Sequence, residues 1–228
     1  MALSLRTFAI SVLDYFRHKK SYSQDGEDVV LYSFFGHKKG YKGFFVDVGA
    51  HHPVRFSNTW MLYKKGWKGI NIDPTPGCMR PFKWLRGRDT NLELGVGSTP
   101  GTLTFYCFDE PALNTFDKKV ADARNTGNPY RIIKSIDVPI KTLAQILHEH
   151  LPKGQHIDFI SIDVEGLDLD VLRSNDWSLY RPGYLLVEDT RFNLQHPEES
   201  EINQYLNDIG YVIIAVLQRT LIYKQIRE

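Results

Sequence analysis

The sequence predicts an α/β fold: one open, doubly wound, mostly parallel sheet with a single antiparallel strand at its C-terminal end. Three observations carry that reading. Short apolar runs alternate with amphipathic stretches, the pattern of strands joined by helical crossovers. The runs are bounded by glycine and proline rather than interrupted by them. The last two runs are separated only by Gln218-Arg219, and two residues allow only an antiparallel hairpin.

The 228 residues are 42% hydrophobic and 24% charged, the balance of a globular chain able to bury its own core. We expect one domain over 21–228 after an amphipathic helix over 1–20. In that first segment Leu3, Leu5, Phe8, Ile10, Val12, Leu13 and Phe16 are apolar, and Arg17, His18, Lys19 and Lys20 follow. A secretory signal puts its charge before a longer apolar run. The helix docks on the domain, on a partner or on a membrane surface. No stretch approaches the ~20 apolar residues of a membrane span. The 28 basic and 27 acidic residues leave a net charge of +1, which gives no general grip on nucleic acid. Cys78 and Cys107 are the only cysteines. They form no disulfide framework or cysteine zinc cluster and fit a reducing, cytoplasmic setting.

Gly43-Phe44-Phe45-Val46-Asp47-Val48-Gly49 reads as a buried strand feeding a turn. Residues 57–65 form a helix closed by Gly66. Lys68-Gly69-Ile70-Asn71-Ile72-Asp73-Pro74 is the next strand, stopped by proline. A short helix over 81–86 and a third strand over 90–96 follow. After the turn at 97–101, residues 102–108 are rich in β-formers. Residues 109–134 are polar and broken by Pro111, Gly127 and Pro129, the mark of a substrate loop or lid. A strand over 136–140 precedes a helix over 143–150 capped by Thr142. Residues 157–163 form a strong strand, and a helix starts at Asp168. A strand over 184–188, a helix over 198–208 and strands over 211–217 and 220–223 complete the chain.

Four acids end predicted strands: Asp47, Asp73, Asp163 and Glu188. An acid after a buried apolar run is costly unless it is paired or bound. Ligands of such sheets sit beyond the carboxyl ends of the strands. Gly49 lets a ligand approach the backbone. The turn lacks G-x-G-x-x-G, which disfavours a dinucleotide cofactor and hence an NAD-dependent oxidoreductase. Asp73, ending the second strand, is placed to accept hydrogen bonds from both hydroxyls of a ribose.

Ordered stretches then resemble the FkbM family of S-adenosylmethionine-dependent methyltransferases. They are Ser23-Gln24-Asp25-Gly26-Glu27-Asp28, Phe45 to His51, Ser57-Asn58-Thr59, Gly66 to Pro74, and Ile160-Ser161-Ile162-Asp163-Val164-Glu165-Gly166. The resemblance implies a class I, Rossmann-like methyltransferase sheet of order 3-2-1-4-5-7-6. It implies S-adenosyl-L-methionine as cofactor and an O-methyltransferase acting on a hydroxyl of a sugar or other small molecule. It places Asp47, Gly49 and Ala50 at the methionine end of the cofactor, Asp73 at the ribose, and Asp163 and Glu165 near the methyl group, and His51 counts among the cofactor-binding candidates. Many members carry Asn where His51 stands.

His52, Asp163 and Glu165 are the candidates for the base, in no fixed order. Gln24 reaches the cofactor carboxylate or the substrate, or only starts a helix. Glu93 meets the adenine or makes a surface ion pair. Asn114 and Thr115 bind substrate from the loop or only shape it. No dedicated metal motif is present. The competing enzyme class is a metal-dependent hydrolase or metal-assisted methyltransferase using His51, His52, Asp163, Glu165, Glu188 and Asp189. A non-catalytic binding module on the same fold is the third reading.

Overall fold

The structure is a computed structural model describing residues 20–37, 39–127 and 129–226. The helix expected over 1–20 thus falls outside the described residues apart from Lys20. The strands in chain order are β1 (Phe44–Val48), β2 (Lys68–Ile72), β3 (Thr90–Leu92), β4 (Gly95–Val96), β5 (Gly101–Phe108), β6 (Ile132–Lys141), β7 (Phe159–Ile162), β8 (Tyr184–Glu188), β9 (Tyr211–Val216) and β10 (Thr220–Gln225). The helices are α1 (Glu27–Phe35), α2 (Trp60–Tyr63), α3 (Met79–Leu85), α4 (Lys118–Gly127), α5 (Leu143–His150), α6 (Asp168–Arg173) and α7 (Glu201–Asp208).

Seven strands form one sheet in the order β3-β2-β1-β7-β8-β10-β9. Numbered within that sheet, this is 3-2-1-4-5-7-6, as expected. β1 lies between β2 and β7, with Val46 beside Ile70 and Ile160, all parallel. β10 runs antiparallel to both β8 and β9. β1 is buried along its whole length, which explains its continuous apolar run. Its side chains alternate between two cores. Phe44, Val46 and Val48 join Leu147 of α5, Val171 of α6 and Leu206 of α7 on one face. Phe45 joins Leu31 and Phe35 of α1, Leu62 of α2 and Trp67 on the other.

Local chemistry sets several boundaries. Thr142 accepts from the Gln145 N–H at 3.1 Å, and the Gln145 side chain accepts from the Thr142 N–H at 3.1 Å. This reciprocal cap starts α5 where the sequence places it. The helix expected over 198–208 instead begins with a 3₁₀ turn, Pro197–Glu199, and α7 follows under a Ser200 cap.

Two expectations change. The strand expected over 90–96 divides: β3 pairs with β2, while β4 joins a second sheet of order β4-β6-β5. Gly95 makes the crossing feasible, since a Cβ there would stand 2.4 Å from Ile140. The segment over 109–134 is not an irregular loop. It holds a 3₁₀ turn, Pro111–Leu113, and α4. Asp117 starts α4 by accepting from the N–H groups of Lys119 and Val120 at 2.7 and 3.2 Å. The helix is nearly all polar, so it has no apolar periodicity to read.

One buried cation ties the β1–β2–β3 side together. Arg86 is fully buried. It donates to Asp89 at 2.9 Å, to the Pro53 carbonyl at 3.2 Å and to Thr59 at 3.0 Å. Thr59 in turn donates to Asp47 at 2.9 Å. The rings of Phe45, Trp60, Tyr63 and Phe82 surround the guanidinium at 4.6–5.8 Å. Among the described residues no helix is long and apolar enough to cross a membrane.

Removing one partner from a buried ion pair strands the other charge. Arg86→Met should therefore lower unfolding free energy by roughly 3–5 kcal/mol, read by urea denaturation. A loss under about 1 kcal/mol would refute the tie.

Candidate functional site

A pocket opens at the carboxyl ends of β1, β2, β7 and β8, where an open parallel sheet exposes unpaired strand ends and turns. Gly49, just after β1, has φ of 85° and forms part of its wall. A Cβ at that position would stand 1.7 Å from the Asp163 carbonyl oxygen. Only glycine lets these two turns pass so closely. The Gly49 N–H donates to the Ile72 carbonyl at 2.9 Å. His51 follows with φ of 49° and donates its backbone N–H to Asp73 at 2.9 Å. The other Asp73 oxygen accepts from the Thr75 N–H at 2.8 Å. Asp73 is thus fixed by two backbone donors, and each oxygen keeps a lone pair for a ligand. Burial holds the His51 imidazole below its ordinary pKa, so its ring is neutral at pH 7.

Beside Asp73 the wall is apolar: Ile72, Leu94, Val96, Phe105 and Phe116. Asn114 closes this side. Its carbonyl accepts from the Phe108 N–H at 2.7 Å and its amide donates to Thr75 at 3.1 Å.

The opposite end is acidic. One carboxyl oxygen from each of Asp163, Glu165 and Glu188 lies within 4.8 Å of the other two. Glu165 has φ of 56° and is ion-paired with Arg124 of α4. Thr115 donates to the Glu165 carbonyl at 2.9 Å. Behind this turn the buried Asp168 accepts from the Val164 and Gly166 N–H groups at 3.1 and 3.3 Å. The Asp163 backbone N–H donates to the Val48 carbonyl at 3.0 Å, but its side-chain Oδ1 is buried with no partner among the described residues. Burial raises its pKa well above the carboxylate range, and the charges of Glu188 and Glu165 add to the rise. Burial, then Glu165 and Asp168, pushes Glu188 to about 8. Asp168 is likewise pushed to about 8, by burial and then by Asp163.

The third wall joins the start of the domain to its end. Arg219, in the β9–β10 turn, donates to both oxygens of Asp25 at 3.0 and 3.1 Å. The Gln24 amide oxygen faces the same guanidinium. Thr220 donates to Glu27 at 2.9 Å. Asp28 gathers the Ser21 hydroxyl, the Tyr22 N–H and the Ser23 hydroxyl at 2.7–2.9 Å. The segment before α1 is therefore both a helix start and a pocket wall.

Of the residues singled out from sequence, Gln24, Gly49, His51, Asp73, Asn114, Asp163 and Glu165 meet in this pocket. Five others stand apart. Asp47 shares the Phe45 side of β1 and belongs to the Arg86 cluster, where burial pushes it to about 6. Ala50 packs on Met79 and Phe82. Glu93 is exposed, and Leu94 takes the wall instead. Thr115 holds the Glu165 backbone. His52 is outside the walls; its Nδ1 accepts from the Val54 and Arg55 N–H groups at 3.1 and 2.9 Å and shapes the turn. The mixed His51/His52 and carboxylate group does not assemble; what assembles among the described residues is all carboxylate. The sequence places Glu188 only among the strand-end acids and in the competing metal reading, and gives no site role to Arg124 or Arg219. Glu188 carried the signal of a strand-end acid. The two arginines come from distant segments and carried none.

Residues 47–213 match the family described as the Methyltransferase FkbM domain. Methyltransferase sdnD of Sordaria araneosa is 30% identical over an alignment taking in 40% of this chain and 43% of that protein. A crystal structure of Methyltransferase FkbM from Methylobacillus flagellatus KT superposes with a TM-score of 0.48 at 13% identity, covering 89% of this chain and 48% of that one. The chain thus spans less than half the length of either relative.

The acid cluster makes stability depend on pH. In the unfolded chain these carboxyls ionise near about pH 4, whereas in the native protein Asp168 and Glu188 keep protons up to about 8. The native state binds more protons between those limits, so stability is lost as pH rises through them. The melting temperature should fall from about pH 5 to about pH 9, with a shallower slope in Glu188→Gln. A flat wild-type profile would contradict the raised carboxyls.

Proposed function

The chain belongs to the FkbM methyltransferase family, and from that premise we propose that it is an O-methyltransferase. On this reading it uses S-adenosylmethionine to methylate a hydroxyl of a sugar or other small hydroxylated molecule. The observation carrying this is one pocket with opposite ends: a ribose-ready carboxylate beside an apolar wall, and three clustered carboxylates facing it.

The residues fit the cofactor on two counts. Gly49, lacking the Cβ that would strike the Asp163 carbonyl, holds the β1 turn against the Asp163 turn, so both turns line one pocket. The buried Asp163 Oδ1 has no partner, and a buried carboxylate oxygen demands a positive or hydrogen-bonding one. Asp73 holds the ribose hydroxyls. Leu94 and Val96 flank the base. The carboxylates of Asp163, Glu165 and Glu188 face the sulfonium. When bound, the cofactor supplies a methyl group on a cationic sulfur already activated for displacement.

What the protein adds is positioning and proton removal. The acceptor hydroxyl loses its proton on becoming an ether. Glu165 is already ion-paired with Arg124. Asp163 and Glu188 have no such partner and take the proton. A base with pKa near the working pH serves this role best, and Glu188 at about 8 meets that condition. The cytoplasmic setting rests on the two free cysteines, Cys78 and Cys107.

Calorimetric titration tests the cofactor. Wild type should bind S-adenosylmethionine, and folded Asp73→Ala should lose at least about tenfold in affinity. Near-normal affinity in that variant would end the ribose assignment. The preference for S-adenosylmethionine over the uncharged S-adenosylhomocysteine should grow from pH 6 to pH 9 as the carboxyls ionise. Glu188→Gln should flatten that growth. A preference that shrinks with pH would remove the sulfonium from the acid end.

A further inference from the structure

A second cavity, of about 400 Å³, adjoins the first. Its walls are the turn after Glu165, the end of β8, and the start of α7. Glu188 lines both cavities. The two strand-end turns thus each face both ways: Glu165 and Glu188 into the first cavity, Gly166 and Glu188 into the second.

We propose that this second cavity is the acceptor site, and that it takes a neutral or amine-bearing polyhydroxylated molecule and rejects phosphorylated or nucleotide-linked sugars. The inference rests on the methyltransferase reading above and adds the acceptor's location and charge class.

The lining chemistry decides the class. Thr190, Asn193 and Ser200 offer hydroxyl and amide groups, while Leu169 and Ile202 are the only aliphatic members. No aromatic platform for a nucleobase is present among the lining residues. Asp168, Glu188, Asp189, Glu199 and Glu201 line the space against one cation, Arg191. Asp189 is already engaged, accepting from the Ser200 hydroxyl at 2.6 Å and from the Arg191 N–H at 3.2 Å. Glu199 and Glu201 are exposed at the rim. Such walls hold an excess of acceptors, which suits a ligand rich in O–H or N–H donors. A phosphate entering there would meet like charge, and like-charge juxtaposition is an effective means of exclusion. A hydroxyl seated beside Glu188 lies at the junction with the first cavity, where its proton has a carboxylate to go to and its oxygen faces the cofactor's end. The volume falls in the range of small-ligand pockets and suits a monosaccharide unit rather than a long chain.

The test uses the full chain with S-adenosylhomocysteine bound. Saturation-transfer NMR would be recorded with methyl glucoside, methyl glucosaminide, glucose 1-phosphate and uridine diphosphate glucose. Signal is expected from the first two and not from the phosphorylated pair. Thr190→Trp, an exposed rim change that fills the cavity, should lower glycoside binding about tenfold or more while leaving S-adenosylmethionine affinity within about twofold. Glu199→Lys/Glu201→Lys should admit glucose 1-phosphate. Phosphorylated probes binding better than neutral ones would overturn the charge class. Glycoside binding unaffected by Thr190→Trp would overturn the location. Binding by none of the four sugars, in a protein that binds S-adenosylmethionine, would overturn the sugar class. A folded protein that binds no S-adenosylmethionine would instead mark failure of the methyltransferase reading.

Discussion

Like-charge repulsion at the ends of β7 and β8 is the constraint around which the working end of this protein is arranged. Three carboxylates within 4.8 Å repel by roughly 3 kcal/mol per ionised pair at the effective dielectric of a protein site. No single hydrogen bond offsets that. The surrounding elements serve the cluster. The chain leaves the main sheet after β3 to build the β4-β6-β5 sheet, and between β5 and β6 it inserts α4, whose Arg124 pairs with Glu165. The β9–β10 turn, the tightest connection in the sheet, carries Arg219 to the same rim, where Asp25 grips it bidentately. These two cations balance part of the charge. The Asp163 Oδ1 is left without a partner among the described residues, and Glu188 and Asp168 respond by holding protons to about pH 8.

The Arg86 cluster shows the opposite solution to buried charge. There a fully buried guanidinium has carboxylate, hydroxyl and carbonyl partners, and aromatic faces enclose it. Nothing remains for a ligand to complete. A satisfied network of this kind rigidifies its surroundings, and its surroundings are β1, β2 and β3. Those strands carry Gly49 and Asp73 into place. The half of the sheet that the proposed cofactor's nucleoside rests on is therefore closed and internally paired. The half that faces the reacting groups is open and short of positive charge.

That division explains what was legible in the sequence. Strands β1, β2, β7 and β8 are buried on both sides, and unbroken apolar runs declare such strands plainly. The short Gln218-Arg219 link between the last two apolar runs implied the antiparallel step. The second sheet was not legible, because its strands read the same whichever sheet they join; only Gly95, which must lack a Cβ to pass Ile140, separates β4 from β3. Helix α4 was missed because it buries so little that its pattern is polar. Within the site, Gly49, Asp73, Asp163 and Glu165 were legible as turn residues after buried runs. Asp47 misled for a physical reason. It lies on a strand whose side chains alternate, and its parity puts it on the Phe45 face with Arg86. Thr115 sits on the backbone side of Glu165, and spacing alone cannot separate holding a turn from lining a cavity. Arg124 and Arg219 are ordinary surface-type residues in sequence. Their roles follow from which distant turns the topology brings together.

Sharing Glu188 between the two cavities has a further consequence for how they work together. Charge on that carboxylate is felt in both. A cation in the first cavity favours its ionised form, because an opposite charge nearby stabilises a carboxylate. Ionised Glu188 is then a better acceptor for a hydroxyl proton donated from the second. On the proposed reading, loss of the cofactor's positive charge would remove that support and favour the protonated carboxylate. In the proposed reaction the acceptor's proton and the cofactor's charge would act on one group from opposite sides. Placing that group at the end of a strand buried through its middle, with no arginine fixed to it, leaves its charge free to follow what the two cavities hold.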